Sequence, residues 1–312
     1  MAQTAFLFPG QGAQCVTMGK DLCDASAAAR AIFDRAEAAT GLAIRQLCFD
    51  GPEDALNRTD NAQPCIFTVS AALLAMMEET LGDAMPTPEI YAGLSLGEYS
   101  ALYAAGAMDF ETGVKLVAKR GELMQQAATD RPSGMVAVIG LDEEKVNALC
   151  DEARQGQILT PANFNCPGQI VVSGENEACQ RAADLAEKHG AMNAVILKVA
   201  GAFHSEIMAP AADAFADVLA GVDFQMPRAT VFANIDAKPY AAVEEIPTKL
   251  IAQLTGAVRW QQTCEAMLEL DAELKPLEIG PGKTLMGMMR RVNRKCRVTV
   301  LNSADAVTKL SN

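Results

Sequence analysis

Short apolar runs alternate along the chain with longer segments in which apolar residues recur at helical spacing. Residues 4–8 form an apolar run stopped by Pro9 and Gly10, which predicts a buried strand followed by a loop. Further strands are predicted over residues 89–92, 230–233, 276–279 and 297–301. Helices are predicted over residues 26–40, 64–81, 96–105, 109–128, 205–219, 247–254, 261–270 and 284–293. This alternation of strand and helix is typical of a parallel sheet covered on both faces.

The pattern changes between residues 131 and 199. Strands are predicted there over residues 134–140, 159–164, 169–173 and 194–199, and helices over 142–154 and 175–189. Their order is β-α-β-β-α-β, the ferredoxin-like arrangement. Turn-rich residues flank the segment on both sides, as at a crossing between domains. We therefore predict an α/β fold in which residues 1–129 and 201–312 form a large domain and residues 130–200 form a small inserted domain.

Composition narrows the class of protein. Half of the 312 residues are apolar, which is enough for a full hydrophobic core. A net charge of −13 and a pI of about 4.7 argue against nucleic acid or an anionic membrane as the main partner. Nine scattered cysteines without a C-x-x-C pair disfavour a disulfide framework or a zinc cluster and fit a reducing compartment. Because no signal peptide is evident and no stretch approaches the length of a membrane span, a cytoplasmic protein is predicted, or a processed protein of an organelle.

Residues 93–97 read GLSLG, the G-x-S-x-G pattern of a nucleophile elbow. In such a turn, small residues let the strand and the following helix pass closely, and the serine is exposed above the sheet. The N-terminus of the helix then offers free N–H groups to an oxyanion. The pattern also arises by chance in loops, but here it follows an apolar strand and precedes a helix. Ser95 is therefore the candidate nucleophile.

A nucleophilic serine needs a base, and the chain contains two histidines. His189 lies at the predicted end of a helix, where a cation suits the helix dipole. His204 lies in a loop between a predicted strand and a predicted helix, where catalytic side chains collect. A lone histidine is more often structural, but the elbow requires a partner, and His204 is the better placed of the two.

Residues 8–12, FPGQG, form a glycine-rich loop directly after the first predicted strand. The loop is not a dinucleotide fingerprint, because Cys15 occupies the third glycine position. Residues 278–284 are not a Walker A motif, because Leu277 stands at its first glycine. An oxyanion hole takes one N–H from the residue after the nucleophile, Leu96, and one from such a loop, with Gln11 the candidate. An ordinary tight turn is the alternative for this loop.

Arg120 lies on the apolar side of its predicted helix, in line with Leu116, Val117 and Met124. An unpaired buried charge is very costly, so this guanidinium requires an anion. In a serine acyltransferase, a substrate carboxylate held by a bidentate pair would satisfy it. A pair with an aspartate or glutamate of the protein itself is the alternative.

Together, these residues resemble the malonyl-CoA:acyl carrier protein transacylase family over nearly the whole chain. The motifs that carry the resemblance are FPGQG (8–12), Gln63-Pro64, GLSLGE (93–98), KRGELM (119–124), NFNCPGQ (163–169), GAFH (201–204), Gln253, VRW (258–260) and GPGK (280–283). The resemblance implies a hydrolase-like α/β domain with a parallel sheet and an inserted ferredoxin-like (βαββαβ) domain, in agreement with the pattern described above.

The resemblance also implies roles for single residues. Ser95 is then the acyl-accepting nucleophile, and His204 is its base, oriented by the main-chain carbonyl of Gln253. Arg120 then binds the malonyl carboxylate. Gln11 and Leu96 are then the oxyanion donors. The other substrate-binding residues implied are Met124, Gln63, Asn163 and Phe203. In the family, an aromatic residue at the position of Phe203 accompanies a preference for malonyl over methylmalonyl. Many members carry a histidine before the nucleophile, where this chain has Leu94, so a polar role there is not implied.

The implied activity is ping-pong transfer of a malonyl group from malonyl-CoA, through a malonyl-serine intermediate, to the phosphopantetheine thiol of acyl carrier protein. No metal or redox cofactor is implied, and a monomer is expected. Because carrier proteins are acidic, docking is expected to use a basic patch, for which a solvated helix end is the alternative. The patch consists of Arg290, Arg291, Arg294, Lys295 and Arg297. Two other functions stay open: a serine thioesterase or hydrolase acting on acyl thioesters, and a non-catalytic scaffold that binds carrier protein.

Overall fold

The computed structural model describes residues 2–310. Residues 1, 311 and 312, which belong to the predicted ranges of the large domain, lie outside the described residues. The strands are β1 (Thr4–Phe8), β2 (Ile90–Gly93), β3 (Ser133–Ile139), β4 (Leu159–Cys166), β5 (Gln169–Glu175), β6 (Asn193–Ile196), β7 (Thr230–Val231), β8 (Lys275–Ile279) and β9 (Thr299–Leu301).

The helices lie mostly in the connections between these strands. They are α1 (Lys20–Ala25), α2 (Ala27–Thr40), α3 (Ile44–Asp50), α4 (Glu53–Asn57), α5 (Thr59–Leu81), α6 (Leu96–Ala104), α7 (Phe110–Asp130), α8 (Glu143–Arg154), α9 (Asn176–Leu185), α10 (Ala209–Leu219), α11 (Glu245–Thr255), α12 (Trp260–Leu270), α13 (Thr284–Val292) and α14 (Ala304–Leu310). Two short 3₁₀ helices cover Gly82–Ala84 and Glu206–Met208.

Five strands form a parallel sheet in the order β7-β2-β1-β8-β9. Along the central strand β1, Phe6 and Phe8 pack into an apolar cluster that includes residues of α2, α5 and α7. Ala5 and Leu7 pack into a second cluster on the opposite face, with residues of α12 and α13. A parallel strand that is buried on both faces needs apolar residues at every position, which explains the unbroken run at 5–8. The predicted parallel sheet covered on both faces is confirmed.

Four strands form a second, antiparallel sheet in the order β4-β5-β3-β6. Helices α8 and α9 connect its strands, so the order β-α-β-β-α-β confirms the ferredoxin-like arrangement. Along β3, Val136 and Val138 pack into a core with α8 and α9, whereas Met135 and Ala137 pack into the large core. One face of the small sheet is therefore turned toward the body of the parallel sheet. The domain limits at residues 130 and 200 stay a prediction.

Several element ends differ from those predicted. Helix α5 begins at Thr59 rather than at residue 64, because its first turns are buried against the rest of the protein despite the proline. The helix predicted over residues 175–189 ends at Leu185, and the strand predicted over 194–199 ends at Ile196. Strand β6 pairs with residues 136–139 of β3. One further bond, from the N–H of Leu197 to the carbonyl oxygen of Met135 at 2.9 Å, follows before the chain leaves the sheet. The short helices α1, α3, α4 and α14 were not predicted.

One stretch of the described chain, Thr59–Ala84, is long and apolar enough by length and composition to cross a membrane. The expectation that no stretch approaches that length is therefore wrong. Of the most apolar 18-residue part of this stretch, 72% is buried inside the protein. It packs against α2 and α7, as the central helix of a core does. The sequence could not separate these cases, because a fully buried helix is apolar on all sides.

Candidate active site

Ser95 lies in the turn between β2 and α6, at the carboxyl end of the parallel sheet. Its φ of 52° and ψ of −102° form a strained backbone conformation. The turn requires glycine on each side. A β-carbon at Gly93 would lie 2.0 Å from the carbonyl of Gly97, and one at Gly97 would lie 2.1 Å from the carbonyl oxygen of Phe8. The strand–turn–helix setting expected of an elbow is present around Ser95.

Ser95 and His204 are in contact, although 109 residues separate them in sequence. The Oγ of Ser95 lies 2.9 Å from Nε2 of His204. The other ring nitrogen, Nδ1, lies 2.7 Å from the main-chain carbonyl oxygen of Gln253 in α11. Because a carbonyl only accepts hydrogen bonds, Nδ1 carries the proton and Nε2 offers its lone pair to the serine hydroxyl. The carbonyl of Gln253 thus occupies the position that an acid takes in a catalytic triad.

The electrostatic surroundings keep His204 neutral. The pKa of His204 is lowered to about 4, chiefly by burial and also by the positive charge of Arg120, while the hydrogen bond to the Gln253 carbonyl opposes both. At neutral pH, the imidazole is therefore uncharged and able to accept a proton. The second histidine, His189, follows α9 and does not line the cavity of Ser95. Its Nε2 is 2.9 Å from a carboxylate oxygen of Glu152.

Arg120 is buried next to the serine, with 1% of its surface exposed. Its Nη1 donates to Oε1 of Gln63 at 2.6 Å. Its Nη2 donates to Oε1 of Gln253 at 2.8 Å and to Oγ of Ser95 at 3.1 Å. Burial lowers the pKa of Arg120. Among the described residues no carboxylate lies within ion-pair distance of this guanidinium, so its hydrogen-bond partners in the protein are all uncharged.

Two main-chain N–H groups border the serine. Leu96 is the first residue of α6, and the N–H of a first helical residue has no carbonyl partner within the helix. Gln11 lies in the loop after β1, and both Gln11 and Leu96 line the same cavity as Ser95. This loop packs so closely on the elbow that a β-carbon at Gly10 would lie only 2.3 Å from the carbonyl oxygen of Leu94. Both residues predicted as oxyanion donors therefore lie on the wall of the cavity that contains Ser95.

The cavity in front of Ser95 has a volume of about 470 Å³ and lies between the elbow and the small sheet. Of the substrate-binding residues implied by the sequence, Met124, Asn163 and Phe203 line it. Gln63 does not line the cavity. It accepts a hydrogen bond from Arg120 and donates one to the Met124 sulfur at 3.5 Å. The site residues predicted from the sequence are thus brought together, either on the cavity wall or directly behind it.

The comparisons with known proteins agree with this geometry. Residues 5–304 match the family described as acyl transferase domain. The malonyl CoA-acyl carrier protein transacylase of Bacillus subtilis (strain 168) is 38% identical over 308 residues, 98% of this chain and 96% of that protein. The protein of the same name from Escherichia coli (strain K12) is 39% identical over 307 residues, 98% of each chain. The chain belongs to the malonyl CoA-acyl carrier protein transacylase family.

Solved structures extend the match to the whole fold of this transacylase-family chain. A malonyl CoA-acyl carrier protein transacylase from Clostridium perfringens superposes with a TM-score of 0.92 and 36% identity, covering 99% of this chain and 96% of that one. The malonyl-transacylase in complex with its type II PKS acyl-carrier protein, PlMCAT:AntF, superposes with a TM-score of 0.92 and 38% identity, covering 99% of each chain.

Three buried residues beneath the elbow of this transacylase-family chain were not predicted from the sequence. Glu98 lies on α6, Asn234 follows β7, and Tyr240 lies in the loop before α11. Asn234 accepts the N–H of Ser95 at 2.6 Å and donates through Nδ2 to the carbonyl of Gly93 at 2.7 Å. It therefore braces the strained turn. One signal in the sequence could have predicted this buried group. Glu98, three positions after Ser95, is the one charged residue of the mostly apolar helix α6.

Proposed function

We propose that this chain transfers a malonyl group from malonyl-CoA to the phosphopantetheine thiol of acyl carrier protein, through a malonyl ester of Ser95. The observation that carries the proposal is the buried guanidinium of Arg120, 3.1 Å from the Ser95 hydroxyl and without a carboxylate partner among the described residues. A cation held there suits an acyl group that ends in a carboxylate. The names of the relatives support the same donor and acceptor.

In the first half-reaction, Nε2 of His204 takes the proton of the Ser95 hydroxyl while Oγ attacks the thioester carbonyl. The main-chain N–H groups of Gln11 and Leu96 hold the resulting oxyanion, and one such donor is typically worth roughly 10²–10³ in rate. The C–S bond then breaks, the proton passes from His204 to the departing thiolate, and CoA leaves. Ser95 is left as a malonyl ester.

The second half-reaction runs the same steps with a new nucleophile. The phosphopantetheine thiol gives its proton to His204, and its sulfur attacks the ester carbonyl. The ester C–O bond breaks, and Ser95 recovers its proton from His204. Arg120 holds the malonyl carboxylate throughout, so the acyl group keeps its orientation while CoA and the carrier exchange. We propose no metal or redox cofactor for this chemistry.

We further propose that the acidic carrier protein docks on the basic patch defined above. Helix α13 supports this proposal, because Thr284 and Met288 line the cavity and Arg290 and Arg291 lie in the helix's last turn. Reversing the charge of both arginines is expected to raise the KM for carrier protein and to leave the formation of malonyl-Ser95 unchanged. An unchanged KM would show that docking occurs elsewhere. We also propose that the chain acts as a monomer in the cytoplasm.

Intact-mass spectrometry after mixing with malonyl-CoA tests the proposed function. The expected result is a malonyl adduct on Ser95 that holo carrier protein discharges much faster than water does, with Ser95→Ala as the unlabelled control. Fast discharge by water alone would indicate a thioesterase or hydrolase. Carrier protein that binds without any adduct forming would indicate a non-catalytic scaffold.

A further inference from the structure

Glu98 is buried beneath the elbow and is fully enclosed by hydrogen-bond donors. Its Oε2 accepts from the main-chain N–H of Asn234 at 3.0 Å and from Nε2 of Gln253 at 2.6 Å. Its Oε1 accepts from the hydroxyl of Tyr240. Its side chain does not reach the cavity, so Glu98 has no direct contact with a substrate. A buried carboxylate is costly, which calls for an account of what its bonds hold in place.

The side chain of Gln253 connects Glu98 to Arg120. Its Nε2 donates to Glu98 and, at 3.1 Å, to the carbonyl oxygen of Ser95, while its Oε1 accepts from Nη2 of Arg120 at 2.8 Å. The oxygen and nitrogen of an amide have nearly the same shape, so hydrogen-bond partners decide which way the group faces. A flipped amide would direct its NH₂ group at the guanidinium. The carboxylate of Glu98 is the closest of three acceptors that fix the amide in this orientation, ahead of the carbonyl oxygen of Ser95 and of Oδ1 of Asn234 at 3.4 Å. In this orientation the amide offers Arg120 an acceptor.

We propose that Glu98 is a positioning residue that orients the Gln253 amide and, through it, the Arg120 guanidinium, and so determines how strongly the site prefers acyl groups that carry a carboxylate. This inference rests on the proposed function, because it concerns the same carboxylate site. It assigns Gln253 two separate roles. The main-chain carbonyl serves His204, and the side chain serves Arg120.

The arrangement at Glu98 keeps Oε2 an acceptor in either protonation state. Burial raises the pKa of Glu98 to about 7, while hydrogen bonds from Tyr240, Asn234 and Gln253 and the charge of Arg120 oppose the rise. A proton added to the carboxyl group can reside on Oε1, because the Tyr240 hydroxyl facing it can accept as well as donate. The bond from Gln253 to Oε2 therefore persists near neutral pH.

Two substitutions at Glu98 separate the hydrogen bond from the charge. In Glu98→Met, the closest acceptor for Nε2 of Gln253, at 2.6 Å, is lost. The ratio of malonyl-CoA to acetyl-CoA kcat/KM for acylation of Ser95 is then expected to fall about 10- to 100-fold. In Glu98→Gln, the amide oxygen still accepts from Gln253, and the NH₂ group faces the Tyr240 hydroxyl. This variant is expected to restore most of the ratio. A ratio in Glu98→Met equal to that of the wild type would overturn the proposal.

A double-mutant cycle shows whether Glu98 acts through Arg120. In an Arg120→Met background, Glu98→Met is expected to leave the ratio unchanged. The same loss in both backgrounds would mean that Glu98 acts by another route and would overturn the proposal. If Glu98→Met does not fold, Gln253→Met provides the test, because it removes the linking amide and keeps the carbonyl that His204 uses. Gln253→Met is expected to lower the ratio by a similar factor, and an unchanged ratio in this variant would overturn the proposal.

Glu278 supplies a matched control. It is also a fully buried glutamate, but its carboxylate accepts the N–H groups of Leu285 and Met286 at the start of α13. Glu278→Met is expected to lower the melting temperature and to leave the ratio unchanged. A fall in the ratio equal to that of Glu98→Met would mean that any loss of a buried carboxylate has this effect and would overturn the proposal. Malonylation of the wild-type protein is measured alongside, so failure of the proposed function is visible separately.

Discussion

Replacing Arg120 by methionine should remove the preference for malonyl over acetyl groups that the proposed carboxylate site would confer. Methionine fills part of the space of the arginine stem but carries no donor. The guanidinium has five N–H donors, of which Gln63, Gln253 and Ser95 take three in the free protein. A carboxylate can therefore bind to the remaining donors, and to the one that Ser95 releases once it is acylated.

The expected loss follows from these contacts. A hydrogen bond to a charged group contributes about 1.5–3 kcal/mol, so a bidentate pair contributes about 3–6 kcal/mol. Since 1.4 kcal/mol is a factor of ten, the malonyl-CoA kcat/KM should fall by roughly 10²–10⁴ relative to that of acetyl-CoA. The site is buried, with Arg120 only 1% exposed, so solvent screening does not reduce this figure appreciably.

The assay compares rates of acyl-Ser95 formation from the two CoA thioesters by rapid quench and intact mass. Arg35→Met is the matched control, because Arg35 is 46% exposed at its side chain and pairs with Glu111 on the surface. It should leave both rates unchanged. A melting curve for each variant ensures that rates are compared below unfolding. Equal losses for malonyl and acetyl transfer in Arg120→Met would refute the argument and make Arg120 a structural residue.

Three further predictions concern the base and the elbow. Because the pKa of His204 lies near 4, its base form is complete above that value, so acylation of Ser95 should stay level from neutral pH to about pH 5 and fall as the pH drops through 4. A pH–rate profile with its acid limb near the ordinary value of 6.5 would contradict this. Asn234→Ala removes the 2.6 Å acceptor for the Ser95 N–H and should slow acylation roughly 10- to 100-fold, whereas an unchanged rate would show that the turn holds its strained shape unaided. Gly97→Ala should lower the free energy of unfolding, measured with denaturant, by more than about 2 kcal/mol. The control is Gly287→Ala, which lies in α13 with open space around it and should raise the free energy of unfolding by up to about 1 kcal/mol. Similar values for the two variants would disprove the close contact at Gly97.

Much of the fold was predictable because each element's sequence carries its own signal. The unbroken apolar run at 5–8 indicated a buried strand, and the two clusters on opposite faces of β1 give the reason. The βαββαβ order was likewise readable, and Asp142, the first residue of the predicted helix 142–154, caps α8. The end of β6 was not readable, because Leu197–Val199 have the composition of a strand but line the cavity instead. The partner strand β3 continues to Ser133, so the pairing stops where the chain turns to the cavity wall and not where the partner strand ends.

The site divides in the same way. By itself, the sequence determined that Ser95 lies in an elbow, that His204 was the better candidate base, and that Arg120 lies on an apolar helix face, because turns and helical spacing are local properties. Only the tertiary structure decided what those groups meet. It brought the carbonyl of Gln253 to His204 across 49 residues and left Arg120 among uncharged partners. It also buried Glu98 beneath the serine, because contacts between distant segments depend on how the helices pack and not on any one segment's pattern.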